Sequence, residues 1–310
     1  MNKPLLSILS ITYNHEEFIA QAIESWLMQE TDFDIEIVIG EDCSTDNTFE
    51  IINMYKEKYP ELIHIITSER NVGMQNNFLR TLKACTGRYI AICEGDDYWT
   101  DSQKLQKQVD FLEMNMNYNM CFHNIKIYKQ YDKVFVNDYI TKPVAQVTTI
   151  HDLSITNYIH TPSVVFRNNL GELPQWFDKV PYIDYSLHLL NSLKGNLYKL
   201  NDNMGVYRVH ENGAMQLYRK LNYSQLEVFN DGLLSLYDYM YSKTSIKLFL
   251  TKKEKLFIDQ RKNYFKQNKY MQLRIVSFKI IKTKTSFKNY FISISFILFP
   301  RILTLLFNKK

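Results

Sequence analysis

Residues 89–99 read YIAICEGDDYW. The first five are apolar or aromatic and fit a short buried strand. Three carboxylates follow within four positions, Glu94, Asp96 and Asp97. Like charges at that spacing repel one another. In open parallel sheets, ligands bind beyond the carboxyl ends of the strands. An acid cluster at a strand end is therefore a place for chemistry, provided the neighbouring strands run the same way.

The residues upstream predict that they do. Residues 5–11 form an apolar strand. Asn14 is read as the N-cap of a helix, with Glu17 three residues on as in a capping box. Phe18, Ala22, Ile23, Trp26 and Leu27 share one helical face. Residues 35–39 and 62–66 predict further strands, and residues 46–59 a helix stopped by Pro60. Residues 76–85 predict a helix ended by Gly87. Three strand–helix–strand units in succession predict an α/β fold, a mostly parallel central sheet flanked by helices. Beyond the acids, Leu105, Val109, Leu112 and Met116 mark a helix. Residues 120–128 and 163–167 read as strands, 183–193 as a helix, and 205–209 as a short extended piece. From about residue 216 the chain reads as helical.

With 310 residues, 45% of them apolar, the chain can bury a sizeable core. Its four cysteines form no C-x-x-C pair, which argues against structural zinc and against a disulfide framework. The short apolar run at the N-terminus reads as a first strand rather than a signal peptide, so a cytoplasmic location is expected. Charge is unevenly spread. From Lys243 onward 17 Lys/Arg stand against two acids; the remaining residues carry 20 Lys/Arg and 31 acids. An acidic body is thus joined to a basic tail. Residues 289–307 are apolar over the length of a membrane span but contain Pro300 and Arg301. We expect a kinked anchor at an anionic membrane surface, on the inner face of the cell membrane. The competing reading is an amphipathic helix docked on the body. A tail this apolar suits headgroups better than a phosphate backbone, so no nucleic-acid partner is expected. Oligomeric state is not legible.

Each predicted strand end carries a polar group. These are Thr12-Tyr13-Asn14, then Glu41-Asp42-Cys43-Ser44, then Arg70-Asn71-Val72-Gly73, then Glu94-Gly95-Asp96-Asp97. Acids converging from two strands need a cation, and oxygen-rich sites suit Mg²⁺ or Mn²⁺ together with phosphate oxygens. The chain has neither a G-x-x-x-x-G-K-[ST] loop nor a G-x-G-x-x-G turn, so it holds phosphates in another way.

The segments SILSITYNHEEFIAQAIESWLMQ, VIGEDCSTDNT, ERNVGMQNNFLRTL and GRYIAICEGDDYW, in that order, resemble a family 2 glycosyltransferase of the GT-A fold. TPSVVFR, IDYSLHLLNSLKG and VYRVHENG extend the resemblance to about residues 4–213. It implies an inverting, metal-dependent glycosyltransferase domain over residues 1–215. Residues 1–118 would be the nucleotide-sugar half and 119–215 the acceptor half. Residues 216–310 would be a helical basic region ending in the apolar tail. Ile11, Thr12, Tyr13 and Asn14 would border the nucleotide, with Tyr13 stacking on the base and Asp42 hydrogen-bonding it. Asn71 and Gly73 would open the loop beside it. Glu94 and Gly95 belong to the D-x-D equivalent, Glu94 facing ribose or sugar and Asp97 supporting the turn. Asp96 would hold Mn²⁺ or Mg²⁺, with His210 on the metal or diphosphate and Arg208 beside the nucleotide-sugar. Asp184 matches the family's catalytic base; a helix cap is its bland alternative. The implied donor is a nucleoside-diphosphate sugar and the implied acceptor a saccharide or lipid-linked saccharide, in surface polysaccharide synthesis. Two other readings compete. A sugar-phosphate nucleotidyltransferase needs a glycine-rich basic loop, and residues 8–20 contain no Gly, Lys or Arg. A degenerate nucleotide-sugar-binding protein is opposed by the intact Asp42, Asp96 and Asp184.

Overall fold

The computed structural model describes residues 3–138, 140–141, 143–214, 216, 220–221, 226–283, 286–300 and 303. The chain divides into two units, Met1–Asp178 with Tyr182–Lys220, and Lys179–Pro181 with Leu221–Lys310.

The first unit begins with β1 (Leu6–Thr12), α1 (Ile19–Leu27), β2 (Ile35–Glu41), α2 (Thr48–Lys58), β3 (Ile63–Ile66), α3 (Met74–Ala84) and β4 (Tyr89–Ile92). These four strands are mutually parallel and lie in the order β3-β2-β1-β4. Every residue of β1 is buried, as suits a central strand whose sequence is nearly all apolar or small. The chain steps outward from β1 to β3, then returns through α3 to the other side of β1. The strand order therefore switches between β1 and β4, where a crevice opens at the carboxyl ends. Ile19, Ile23 and Trp26 of α1 pack with Ile8, Ile37, Ile39, Tyr89 and Ala91 in the core beneath it.

The rest of this unit comprises β5 (Tyr98–Trp99), α4 (Lys104–Met114), β6 (Tyr118–Lys129), β7 (Val134–Val136), β8 (Val147–Thr148), α5 (Ile150–Ile155), β9 (Val165–Arg167), α6 (Ile183–Ser192) and β10 (Asn196–Val209). The sheet continues β4-β9-β6-β10-β5. Here it becomes mixed: β9 runs antiparallel to both β4 and β6, and β10 parallel to β6. The extended piece expected at 205–209 is the end of the 14-residue β10, whose pairing with β6 shifts register along its length. That irregularity hides the strand's period from sequence reading.

Asn14 is not a helix cap. The N-cap of α1 is Phe18, with no side-chain cap bond. Asn14 instead adopts a left-handed conformation, φ 55°, which Asn tolerates better than most residues. Its side chain accepts the Thr45 N–H at 2.8 Å.

The second unit contains α7 (Asn230–Thr244), α8 (Lys247–Lys266), α9 (Tyr270–Thr283) and α10 (Phe287–Leu298). The apolar tail is helical over α10, which is capped at Phe299, and the described residues Pro300 and Leu303 are helical again beyond that break. Within this unit Arg261 Nη1 donates to Ser293 Oγ at 2.8 Å, and Asn289 Nδ2 to Glu254 Oε1 at 3.1 Å. One side of α10 is thus docked, while Tyr290, Phe291 and Leu298 stay exposed. No helix among the described residues is long and apolar enough to cross a membrane. Arg301, residue 302 and residues 304–307 lie outside the described residues.

Candidate active site

The loops after β1 and β2 are laced together. The Asp42 N–H donates to the Thr12 carbonyl at 3.1 Å. The Asn14 N–H donates to Ser44 Oγ, and His15 N–H to Thr48 Oγ1. Glu41 turns its carboxylate back on its own loop and accepts the N–H groups of Cys43 and Ser44 at 3.0 and 2.7 Å. Those bonds hold Cys43 at φ 58°, a left-handed turn that usually favours glycine.

Asp42 lies almost wholly buried beneath the loop that precedes α3. Its two oxygens accept the Val72 and Gly73 N–H groups, each at 2.9 Å. Arg80 stands 3.5 Å from it and also donates to the Glu41 carbonyl. Asn71 Oδ1 accepts the Gly73 N–H at 3.0 Å, closing the turn, and Gly73 takes φ 85°. Arg70, Asn71, Val72, Asn76 and Arg80 line a cavity of about 480 Å³. Tyr13 is 42% exposed beside these loops.

The turn after β4 is fixed from both sides. The Gly95 N–H donates to the Ile11 carbonyl at 3.1 Å. A Cβ on Gly95 would come within 2.7 Å of Thr12 Oγ1 and 3.0 Å of His15 Nδ1, so only glycine lets the two strand ends close up. From the other side, Arg208 on β10 braces the turn. Its backbone N–H donates to Asp97 Oδ1 at 2.7 Å, and its Nε to the Asp96 carbonyl at 2.8 Å. Nη1 reaches Gln130 and Nη2 reaches Gln21, at 2.7 and 2.6 Å. Arg208 is also stacked near Phe18, Tyr98 and Tyr128. Every guanidinium nitrogen thus has a protein acceptor. Trp99 is buried, and its indole N–H donates to the Pro162 carbonyl at 2.8 Å.

Two imidazoles flank Asp96. His210 Nε2 lies 2.9 Å from Asp96 Oδ2, and His15 Nε2 lies 3.9 Å from the same oxygen. His210 packs on Phe18, with ring centroids 4.7 Å apart. Burial alone would push Asp96 up, but His15 and His210 outweigh it and hold the carboxyl below its usual range. Burial pushes His15 down, assisted by His210 and opposed by Asp96 and Asp46. Asp96 as carboxylate and His15 as neutral imidazole are the ligand-ready forms. His15, Asp96 and His210 can offer donor atoms within 4.8 Å of one another, as can Glu94, Asp96 and Asp97. This donor set fits a divalent cation.

Asp184 sits in the first turn of α6, where Tyr182 is the N-cap. Its Oδ2 accepts the Asn157 side-chain N–H at 2.9 Å. Burial raises its pKa, while the Tyr185 N–H, Asn157 and His160 pull the other way. Glu94 is pushed up to about 8, by burial first, then by Asp96 and Asp184. Asp97 is raised well above the carboxylate range, chiefly by burial, with Asp96 and Glu94 adding to it.

The structure brings Ile11, Thr12, Glu94, Gly95, Asp96, Asp97, Arg208 and His210 to one strand-end crevice, while Asp184 sits in the first turn of α6 with Asn157 as its partner. Tyr13, Asn14, Asp42, Asn71 and Gly73 border the neighbouring loops. Sequence reading missed His15, Arg80 and Asn157. His15 follows directly on Tyr13-Asn14 and was visible as a histidine at a strand end. Arg80 and Asn157 carry no local signal, since only the fold brings them to carboxylates 38 and 27 residues away.

The model of glycosyl transferase family 2 matches residues 7–167. Rv1520 of Mycobacterium tuberculosis is 36% identical over 212 residues, 67% of this chain and 60% of that protein, so the match spans about three-fifths of that relative's length. WfaP of Escherichia coli, a UDP-Glc:alpha-D-GlcNAc-diphosphoundecaprenol beta-1,3-glucosyltransferase, is 30% identical over 219 residues, 66% of this chain and 78% of that one. Among solved structures, S. aureus TarS 1-349 in complex with UDP-GlcNAc aligns with a TM-score of 0.65 at 19% identity, covering 90% and 81% of the two chains. The mannosyltransferase PcManGT of Pyrobaculum calidifontis, in complex with GDP-Man and Mn²⁺, aligns with a TM-score of 0.54 at 14% identity, covering 94% and 79%. These two share the fold. The chain belongs to glycosyl transferase family 2.

Proposed function

We propose that this protein is an inverting, metal-dependent glycosyltransferase. It transfers a sugar from a nucleoside-diphosphate donor to a hydroxyl of a saccharide or lipid-linked saccharide, in surface polysaccharide synthesis. The observation that carries the reading is the crevice between β1 and β4, where Asp96 with its imidazoles stands beside Glu94 and Asp97. Asp42 shapes the base pocket through the loop 70–73 that it holds, and Tyr13 offers a ring for stacking. Residues 1–118 would then bind the donor and 119–215 the acceptor.

Asp96 and His210 would hold a divalent cation, which when bound offsets the charge growing on the departing diphosphate. In the reaction the acceptor oxygen attacks the anomeric carbon as the bond to the diphosphate oxygen breaks. Asp184 takes the proton of that hydroxyl; its raised pKa makes it a stronger base. Asn157 keeps Asp184 oriented and favours its charged form. Glu94, raised by burial and by Asp96, can donate a hydrogen bond to donor hydroxyls in its protonated form. Arg208 donates from Nε, Nη1 and Nη2 to protein acceptors and acts by fixing the 94–97 turn. The exposed aromatics of α10 and the basic surroundings suit a peripheral contact with an anionic membrane carrying the acceptor.

The test is transfer or slow hydrolysis of UDP- and GDP-sugars with Mn²⁺ by the wild type, Asp96→Asn and Asp184→Asn. Asp184→Asn is expected to lower kcat about 10²–10⁴-fold while leaving UDP binding by calorimetry unchanged. No metal-dependent turnover with any donor, or an Asp184→Asn enzyme with unchanged kcat, sinks the assignment.

A further inference from the structure

His15 does more than border the crevice. Its Nδ1 is 3.1 Å from Thr12 Oγ1, and Thr12 is buried at the end of β1. With the ring proton on Nδ1 and donated to that hydroxyl, the lone pair of Nε2 is aimed towards Asp96. A ligating histidine is commonly oriented in this way, by a hydrogen bond from its other nitrogen. The side chains of His15, Asp96 and His210 are 15%, 13% and 7% exposed, so the three donors form a sheltered seat. His210 is held on Phe18, and its ring meets that of His15 edge-on at 6.0 Å. The absence of a side chain at Gly95 makes room for the Thr12–His15 pair.

We propose that His15 is a third protein ligand, making with Asp96 and His210 a two-imidazole, one-carboxylate seat that selects Mn²⁺ and similar transition ions over Mg²⁺. This rests on the reading of a metal-dependent enzyme and goes beyond it. Mg²⁺ takes nearly all-oxygen octahedral sites with several retained waters, and imidazole nitrogen favours later first-row ions. Two nitrogens at one seat therefore work against Mg²⁺ relative to first-row ions, Mn²⁺ included, and most in favour of later ones such as Co²⁺.

The experiment is metal binding by the full chain with UDP present, read without turnover. Pulsed EPR of bound Mn²⁺ counts coordinated imidazole nitrogens; the wild type is expected to show two. His15→Gln and His210→Gln are each expected to show one. Calorimetry should show affinity for Mn²⁺ and Co²⁺ falling at least about tenfold in His15→Gln, and affinity for Mg²⁺ changing much less. A single nitrogen in the wild type overturns the inference whatever the variants do, and leaves the glycosyltransferase reading intact. Unchanged nitrogen count or unchanged Mn²⁺ affinity in a folded His15→Gln also overturns it. A wild type that binds no Mn²⁺ overturns both readings.

Discussion

Replacing Lys104 with methionine should stabilise the protein, and by more at neutral pH than at alkaline pH. Lys104 opens α4 with its side chain fully buried, and its Nζ has no hydrogen-bond partner among the described residues. It lies 4.1 Å above the Trp99 ring. A helix N-terminus is also an unfavourable place for a cation. Burial pulls the Lys104 ammonium down to about 7, against a weak upward pull from Cys93 and Cys121. In the unfolded chain the same group titrates near about 10.4. Between those values the unfolded state holds a proton that the folded state has released. Stability therefore rises with pH across that window, by at most about 1.4 kcal/mol per unit. The contribution is fully present above the unfolded value and is lost as pH falls through about 7. The whole span corresponds to about 5 kcal/mol, of which cation–π attraction to Trp99 returns up to about 2. Lys104→Met keeps the apolar stem and removes the ionisable head. Its advantage over the wild type should be about 3 kcal/mol near neutrality, shrinking by 2 or so near about pH 9.5. Urea unfolding of both proteins at the two pH values measures this. An advantage that does not change with pH, or a variant less stable at both, refutes the buried-ammonium account.

The remaining predictions concern the site's framework. Arg208→Lys keeps the charge but loses the fork that joins Asp96, Gln130 and Gln21; it should cost about 3–5 kcal/mol, and an unchanged urea midpoint would contradict the bracing role. Cys43→Gly should raise stability by about 0.5–1 kcal/mol in thermal unfolding, since a left-handed non-glycine costs about 1–2 kcal/mol and glycine gives back part in chain entropy; a lower melting temperature counts against it. Gly95→Ala forces a methyl within 2.7 Å of Thr12 Oγ1. It should cost about 1–3 kcal/mol and abolish Mn²⁺ binding; a variant that binds Mn²⁺ like the wild type would show the strand ends are not closely fitted.

The first four strands and their mostly parallel sheet were open to reading because apolar runs, helix stops and polar strand ends repeat at regular intervals from Leu6 to Asp97. Burial on both faces makes such strands conspicuous. The second half was less legible. Strand β5 is two residues long, and β10 carries register shifts that break its alternation. The sequence motif YRVH marked Arg208 and His210 but not their different lots. That Arg208 is spent on a brace follows from Gln21, 187 residues away, and Gln130, 78 residues away. Asn14 misled because its preference for caps and its tolerance of left-handed turns have one cause, a short side chain that bonds nearby backbone.

Three carboxylates at one strand end need not repel if they do not all ionise. Glu94 sits at about 8 and Asp97 well above the usual range, whereas Asp96 falls below it. Near neutrality the cluster then carries most of its charge on Asp96, the one acid with an imidazole on either side. Asp97 faces inward: one oxygen takes the Arg208 N–H, while the other is buried with no hydrogen-bond partner among the described residues. That arrangement suits a neutral carboxyl at the base of the turn. Burial first, then the charges of Asp96 and Asp184, keep the proton on Glu94. Sequence alone presents three like charges that only a cation could reconcile. Burial reconciles them first, by sorting the protons, and a cation need meet only the acid that remains charged.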